Sequence, residues 1–310
     1  MRRIAVTLLT LLALLLGLTS SPAVAEEKLP VPWSFLPTAV TGGASLSFSA
    51  PGTNDWSCKP SKAHPRPVVL VHGTFGNGNT NWQTYGPLLK NAGYCVYALT
   101  YGQLSKALPL SILGGFGSMK ASARQLKRFV AKVRRHTGAA KVDLVGHSQG
   151  TLMPQYWVRY LGGRKHVRNY VSLAPLWHGT QVADVTALLN PVFGGEDSFP
   201  ACTACAQFGT GSAFMKKIRK GKVASKGIRY TNIMTRYDEL VIPYSSGRQK
   251  GMRNLVVQDY CATDFSEHFE IAADPIAARL VLNTLDPKRA KKVGCTVVLP
   301  FIGPLGANAE

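Results

Sequence analysis

Along the chain, short unbroken apolar runs alternate with longer stretches in which apolar residues recur every three or four positions. Val68-Val-Leu-Val71 is the first such run, and Tyr94–Leu99, Val142–Val145, Tyr170–Ala174, Tyr230–Met234 and Leu255–Gln258 follow. Continuous apolar runs of this length predict strands buried on both faces. Asn79–Asn91 carries Trp82, Tyr85, Leu88 and Leu89 at helical spacing. In Ser118–His136, Met119, Ala123, Leu126, Val130 and Val133 share one face, basic residues line the other, and Gly138 is a stop signal. Gln149–Leu161 reads as a further helix. The last helix opens with Asp274 at the N-cap and Pro275 in the first turn, ahead of Ile276, Leu280 and Val281.

Strands alternating with helices predict an α/β fold: a central, mostly parallel sheet with helices on both faces. In such sheets the functional site lies beyond the carboxyl ends of the strands. Residues 26–66 are rich in Pro, Ser and Gly with little periodicity, and they read as an irregular arm draped over a domain at 67–310.

At the amino end, Arg2 and Arg3 precede an apolar stretch from Ile4 to Leu18, and Ala23-Val-Ala25 completes a small-x-small pattern. Residues 1–25 are therefore expected to be a secretory signal peptide. The apolar core of about 15 residues is short of the ~20 that span a bilayer, so a retained membrane anchor fits less well. All six cysteines lie beyond that segment, and export predicts disulfides. Sequential pairing (58–95, 202–205, 261–295) is the simplest arrangement among several. A redox or metal role for Cys202-Thr-Ala-Cys205 lacks a second CxxC or a histidine cluster to complete it. The net charge of +20 predicts attraction to anionic lipid, acidic polysaccharide or nucleic acid. No aromatic-and-basic motif accompanies the dispersed cations, so nucleic acid is not an expected partner.

Gly146-His-Ser-Gln-Gly150 has the spacing G-x-S-x-G. A serine between two loop glycines matches that pattern by chance often enough that context must decide. Ser148 follows a predicted buried strand and precedes a predicted helix, the context a nucleophile elbow requires. Side chains two residues to either side would collide with the neighbouring strand or helix. A serine hydroxyl needs a base, and the base an orienting carboxylate, here in the chain order Ser, acid, His. His268 lies just after the last strand, in Asp264-Phe-Ser-Glu-His-Phe269. His178 follows the fourth strand with no suitable acid before it, and His166 lies too near Ser148 to leave room for one. His268 is the expected base. Asp238, after the strand at 230–234, is the expected acid, because Asp259 and Asp264 share the strand-end loop of His268. Glu239 should point elsewhere if Asp238 points in. Acyl transfer also needs donors to an oxyanion. The backbone N–H of Gln149 is one candidate. The other is Thr74 in Val71-His-Gly-Thr-Phe-Gly76, through its N–H and its hydroxyl.

LVHGTFGNGNTNW, KVDLVGHSQGTLMPQYW, SLAPLWHGT, RYDELVIPYSS and the run from VQDYC through EHF together resemble the motifs of secreted bacterial triacylglycerol lipases and esterases. These are members of the α/β-hydrolase superfamily, of the actinobacterial type, and the resemblance spans roughly residues 67–285. It implies an α/β-hydrolase fold and an ester hydrolase with the triad Ser148, Asp238 and His268. It further implies oxyanion donors from Thr74 and Gln149, and no cofactor or metal. Thr151 departs from many relatives, which carry a second glycine there; the change should only trim space at the helix start.

Two stretches read as lid-like insertions, near 102–118 and 188–214. The first crowds Leu104, Leu108, Leu110, Ile112, Leu113 and Phe116 into one loop, which fits either a lipid-facing wall or ordinary core packing. The expected substrate is a lipid or other ester, met by a secreted monomer at a lipid–water interface. An acyltransferase or a polyester-degrading, cutinase-like hydrolase would use the same acyl-enzyme with a different acceptor or polymer. A non-catalytic surface binding protein would have no need of the ordered triad.

Overall fold

The computed structural model describes residues 27–45, 47–105, 110–183 and 202–306. The expected signal peptide at 1–25 lies outside the described residues, as do 106–109 of the first insertion and 188–201 of the second.

Six of the apolar runs become one sheet: β1 (Val68–Val71), β2 (Val96–Leu99), β3 (Val142–His147), β4 (Val167–Leu173), β5 (Arg229–Met234) and β6 (Arg253–Val256). Their order is β2-β1-β3-β4-β5-β6, and every neighbouring pair is parallel. Side chains alternate across a strand, and β1 shows the consequence. Val69 and Val71 pack into one apolar layer, Val68 and Leu70 into the other. The first layer is closed by α3 (Met119–Thr137), α4 (Gln149–Tyr160) and α5 (Ala213–Arg219), through Met119, Leu126, Leu152, Trp157 and Phe214. The second is closed by α2 (Tyr85–Asn91) and α6 (Pro275–Leu285), through Leu89, Ile276 and Leu280. A short antiparallel pair, β7 (Val298–Leu299) and β8 (Gly303–Pro304), ends the described chain.

Helix ends follow the expected signals. The Asp274 carboxylate accepts the N–H groups of Ile276 (3.0 Å) and Ala277 (2.7 Å), two donors that the helix itself leaves unpaired. Gly138 takes the left-handed conformation (φ 71°) after α3, where it avoids the Cβ penalty.

Two expectations need correction. Residues 26–66 are not irregular throughout, because Phe35–Ala44 forms a helix, α1. Its own residues favour it weakly, and tertiary contact overrides that preference. Phe35 packs against the rings of His147 and Phe269, and its N–H donates to Glu270 (3.0 Å). Conversely, the helix expected over Asn79–Asn91 begins only at Tyr85. Asn77 Oδ1 accepts from the N–H groups of Asn79 (2.7 Å) and Thr80 (2.8 Å), while the Asn79 amide donates to the carbonyls of Gly42 and Ser47 (both 2.8 Å). Such side-chain bonds offer the backbone an alternative to the helix.

The three disulfides join Cys58–Cys95, Cys202–Cys205 and Cys261–Cys295, the sequential pairing. The first ties the N-terminal arm to the residue preceding β2 across 37 positions. Closing a loop of that length removes about 4 kcal/mol of denatured-state freedom in the chain-entropy view. The double variant C58A/C95A should therefore lose a few kcal/mol in urea unfolding, with a steeper slope because the uncrosslinked denatured chain exposes more surface. An unchanged unfolding free energy would show that this crosslink adds nothing to global stability.

Candidate active site

The chain turns sharply from β3 into α4 at Ser148, which sits at φ 54°, ψ −122°. Positive φ is costly for a residue with a Cβ and persists only where the surroundings over-determine it. The surroundings here are backbone. A Cβ on Gly146 would lie 2.1 Å from the Gly150 carbonyl oxygen, and one on Gly150 would lie 1.9 Å from the Val71 carbonyl oxygen. Only glycine at both positions lets α4 pack this closely against β1 and β3, and that approach fixes the turn carrying Ser148.

His268 and Asp238 reach Ser148 from loops at the carboxyl end of the sheet. His268 Nε2 lies 2.9 Å from Ser148 Oγ, and His268 Nδ1 lies 2.8 Å from Asp238 Oδ1. A carboxylate can only accept, so Nδ1 carries the proton and Nε2 is left to accept from the serine hydroxyl. Asp238 Oδ1 also accepts the N–H groups of Leu240 (3.1 Å) and Val241 (2.7 Å), which fix its rotamer. Burial by itself would hold the His268 imidazole down, but Asp238, then Glu239 and Glu267, raise it above its ordinary value.

Thr74 and Gln149 lie together on the other side of Ser148. The Thr74 hydroxyl donates to Gln149 Oε1 (2.8 Å), so its proton is committed there rather than offered to a substrate. Their two backbone N–H groups donate to no other group among the described residues. Gly115, at φ 82°, makes the packing behind them feasible: a Cβ would come within 2.9 Å of both Gln149 Oε1 and Thr74 Cα. The loop carrying Gly115 is pinned to the Thr74 loop by the bonds Phe75 N–H to Gly114 O and Gly114 N–H to Gly76 O (both 2.9 Å). Of the apolar residues in that insertion, Phe116 is buried in the core, while Leu104 and Leu113 are exposed.

The remaining candidates are elsewhere. The His178 N–H donates to Ser246 O, and burial, then Arg219, hold its imidazole below the usual range. Asp259 pairs with Arg236 on the surface (2.5 Å). Asp264 is buried against Ser266. Glu239 does not point away: its Oε2 accepts the His268 backbone N–H (3.1 Å). Two buried residues went unread in the sequence. His147 Nε2 faces the His268 carbonyl oxygen (2.8 Å), and a carbonyl only accepts, so this nitrogen is the donor. Burial, then His268, push the His147 imidazole down to about 3, which keeps it neutral. Asn81 Oδ1 accepts the Gly73 N–H (2.9 Å) and so shapes the loop ahead of Thr74. The position of His147 between Gly146 and Ser148 was the one available signal; Asn81 offered none.

Residues 65–281 match the family described as lipase (class 2). The chain belongs to the class 2 lipase family. Among curated relatives, similarity covers only part of each chain. The triacylglycerol lipase of Pseudomonas fragi is 27% identical over 118 residues, 38% of this chain and 37% of that one. The triacylglycerol lipase of Burkholderia plantarii is 31% identical over 134 residues, 41% of this chain and 34% of the other. The matched region thus spans about a third of the length of these relatives. The fold resembles Aspergillus fumigatus lipase B (TM-score 0.60, 20% identity, covering 79% of this chain and 57% of that one). It also resembles a Bacillus licheniformis lipase in its mature form (TM-score 0.55, 17% identity, 73% and 94% covered). Both likenesses concern the α/β-hydrolase fold.

Beneath His268 lies a set of crowded carboxylates. Glu267 accepts the N–H groups of Phe269 (2.6 Å) and Glu270 (2.9 Å). Burial, only partly offset by such bonds, pushes Glu267 up to about 7 and Glu270 up to about 8 from an ordinary 4.5. The folded state therefore keeps protons that the unfolded chain releases near 4.5. This stabilising contribution is complete below that value and is lost as pH rises towards 7 for Glu267 and 8 for Glu270. Glu270→Gln keeps an acceptor for the Phe35 N–H but cannot ionise. Relative to the parent, its urea midpoint should be higher at about pH 9 than at about pH 5. A pH-independent difference would rule out Glu270 as a titrating group.

Proposed function

We propose that this chain is a secreted serine hydrolase that cleaves carboxylic esters of lipids through an acyl-enzyme on Ser148. The observation that carries the reading is the unbroken chain from Ser148 Oγ through His268 to Asp238, at 2.9 and 2.8 Å. As Ser148 Oγ attacks the ester carbonyl, His268 Nε2 takes its proton. The imidazolium that forms is held by Asp238 at Nδ1, with Glu239 and Glu267 adding to the favourable field. Negative charge developing on the carbonyl oxygen is met by the N–H groups of Thr74 and Gln149, at the amino end of α4. The tetrahedral intermediate collapses, the alcohol leaves with the proton from His268, and Ser148 retains the acyl group. Water activated by the same imidazole then releases the acid and restores the serine.

The choice of a lipid-like substrate rests on the mouth of the site. Phe75, Leu113, Tyr237, Leu240, Ile242 and Phe265 are exposed large apolar residues on loops at the carboxyl end of the sheet. A cluster of this kind suits an apolar acyl chain or a lipid surface. The three disulfides fit folding in an oxidising compartment, and among the described residues no helix is long and apolar enough to cross a membrane.

A fluorophosphonate probe should add its mass to Ser148 and to no other residue, and Ser148→Ala should abolish labelling. Asp238→Asn should lower kcat on a short-chain nitrophenyl ester by about 10⁴-fold, because the carboxylate no longer sets the imidazole tautomer. Labelling that persists in Ser148→Ala, or near-normal turnover by Asp238→Asn, would reject these assignments.

A further inference from the structure

The cations, dispersed in sequence, are gathered in space. Between residues 119 and 235 the described chain carries 19 Lys and Arg but a single acid, Asp143. That acid is buried and paired with Arg66 (3.0 Å), so it neutralises nothing on the surface. This stretch forms the α3–α4–α5 layer on one face of the sheet. The remaining described acids belong to the N-terminal arm and to the segment from Asp238 onward.

Within the cationic layer, two clefts meet where α3 and α4 end. One, of about 400 Å³, is lined by Val158, Arg159, Gly162, Arg164, Lys165 and Ser225. The other, of about 230 Å³, shares Gly162 and Lys165 with it and runs along α3 past Lys127 and Arg134. Together they form one groove. Arg159 fixes one wall by donating to the carbonyls of Ile218 and Lys220, and Arg134 fixes the other through the Ala140 carbonyl (3.0 Å). Those acceptors are neutral, so the guanidinium charges are not cancelled, and no carboxylate among the described residues pairs with a cation of the groove. The positive field also registers on His166 in the same groove: partial burial, then Arg134 and Lys165, hold its imidazole below the usual range.

We propose that this groove is a binding site for an anionic polysaccharide, separate from the ester site. Three observations select that occupant. First, α4 begins beside Ser148 and runs 12 residues, so the groove at its far end lies about 18 Å away along the helix axis. A polymer held there leaves the ester site open. Second, the exposed large apolar residues lie outside this layer, with the exception of Tyr160. A lipid surface would therefore find charge here but nothing to insert, whereas the opposite pole offers both Phe75 and Ile242. Third, Tyr160 sits under Lys217 and beside Tyr156, and Trp157 is buried, so no free aromatic platform awaits unstacked bases. A concave strip rimmed by lysine and arginine, over a floor that includes the buried Val130 and Trp157 and the half-buried Leu161 but no exposed apolar anchor, matches a hydroxyl-rich chain bearing carboxylate or sulfate groups at intervals. Binding of that kind is electrostatic and weakens with salt.

The test is titration of the full chain with dextran sulfate and with polygalacturonate at about physiological salt, with neutral dextran as the control. Two charge-matched variants are compared: K127E/R164E/K165E in the groove, and K62E/K288E/K291E outside the layer. Both should hydrolyse a soluble short-chain ester at the parent rate, which reports folding. R164Q/K165Q, a milder pair, repeats the measurement should the triple groove variant lose that activity. The groove variant should bind both acidic polymers at least about tenfold more weakly, and the control within about twofold of the parent. Equal losses in the two triple variants would reduce the effect to net charge and overturn the proposal. Tighter binding to phosphatidylglycerol vesicles or to single-stranded RNA than to either polysaccharide, lost in the groove variant, would overturn it in favour of that partner.

Discussion

The close approach of α4 to the ends of β1 and β3 is the constraint on which the functional end depends. Gly150 passes so near the Val71 carbonyl that a Cβ would lie 1.9 Å from it, and Gly146 meets the Gly150 carbonyl in the same way. With no side chains to separate these backbones, the connection between strand and helix has room for one residue at φ 54°. The strain is held by packing on both sides, because α4 is buried through Leu152, Met153 and Trp157. Ser148 is thus positioned by the core rather than by its own preferences. The same approach sets the Gln149 side chain against Thr74, so the two candidate oxyanion donors move with the serine as one unit.

Around His268 the protein tolerates an unusual density of carboxylates. Asp238 binds the ring, Glu239 the backbone N–H, and Glu267 braces the following turn. Burial first, and repulsion among these groups after it, makes Glu267 and Glu270 keep their protons well above the ordinary range. The effect on His268 is opposite in sign: Asp238, then Glu239 and Glu267, favour its imidazolium, the form that the proposed proton transfer requires. His147, neutral and buried, completes the arrangement by holding the His268 carbonyl. The proposed catalytic site thus sits on groups that cost stability once ionised, a common pattern where function and folding compete.

Charge and apolar surface are segregated on the molecule. The exposed apolar residues Phe75, Leu113, Leu240 and Ile242 rim the end of the sheet where Ser148 sits, while the lysines and arginines of α3, α4 and α5 cover one face and converge at the opposite end. Two surfaces of different chemistry, separated by the length of α4, can engage different partners without competing.

All six strands could be read from their apolar runs, and the helices α3, α4 and α6 from apolar spacing together with capping and motif signals, since burial on one or both faces is written into residue order. The chain order Ser148, Asp238, His268 was readable because each residue lies in the connection after a recognisable strand, directly after β3 for Ser148 and further along for Asp238 and His268. Contacts between distant segments were not readable. Helix α1 exists because Phe35 docks on His147, Phe269 and Glu270, and the helix before β2 starts late because Asn77 and Asn79 bind nearby and distant backbone. Glu239 reaches the His268 backbone only because two loops are folded against each other, and the basic groove gathers residues whose spacing in the chain shows no cluster. The sequence by itself determined the six strands, most of the helices and the candidate residues for the chemistry, because those depend on local period and motif. Only the tertiary structure decided which buried groups face one another, because proximity in a folded chain depends on packing across the sheet rather than on position along it.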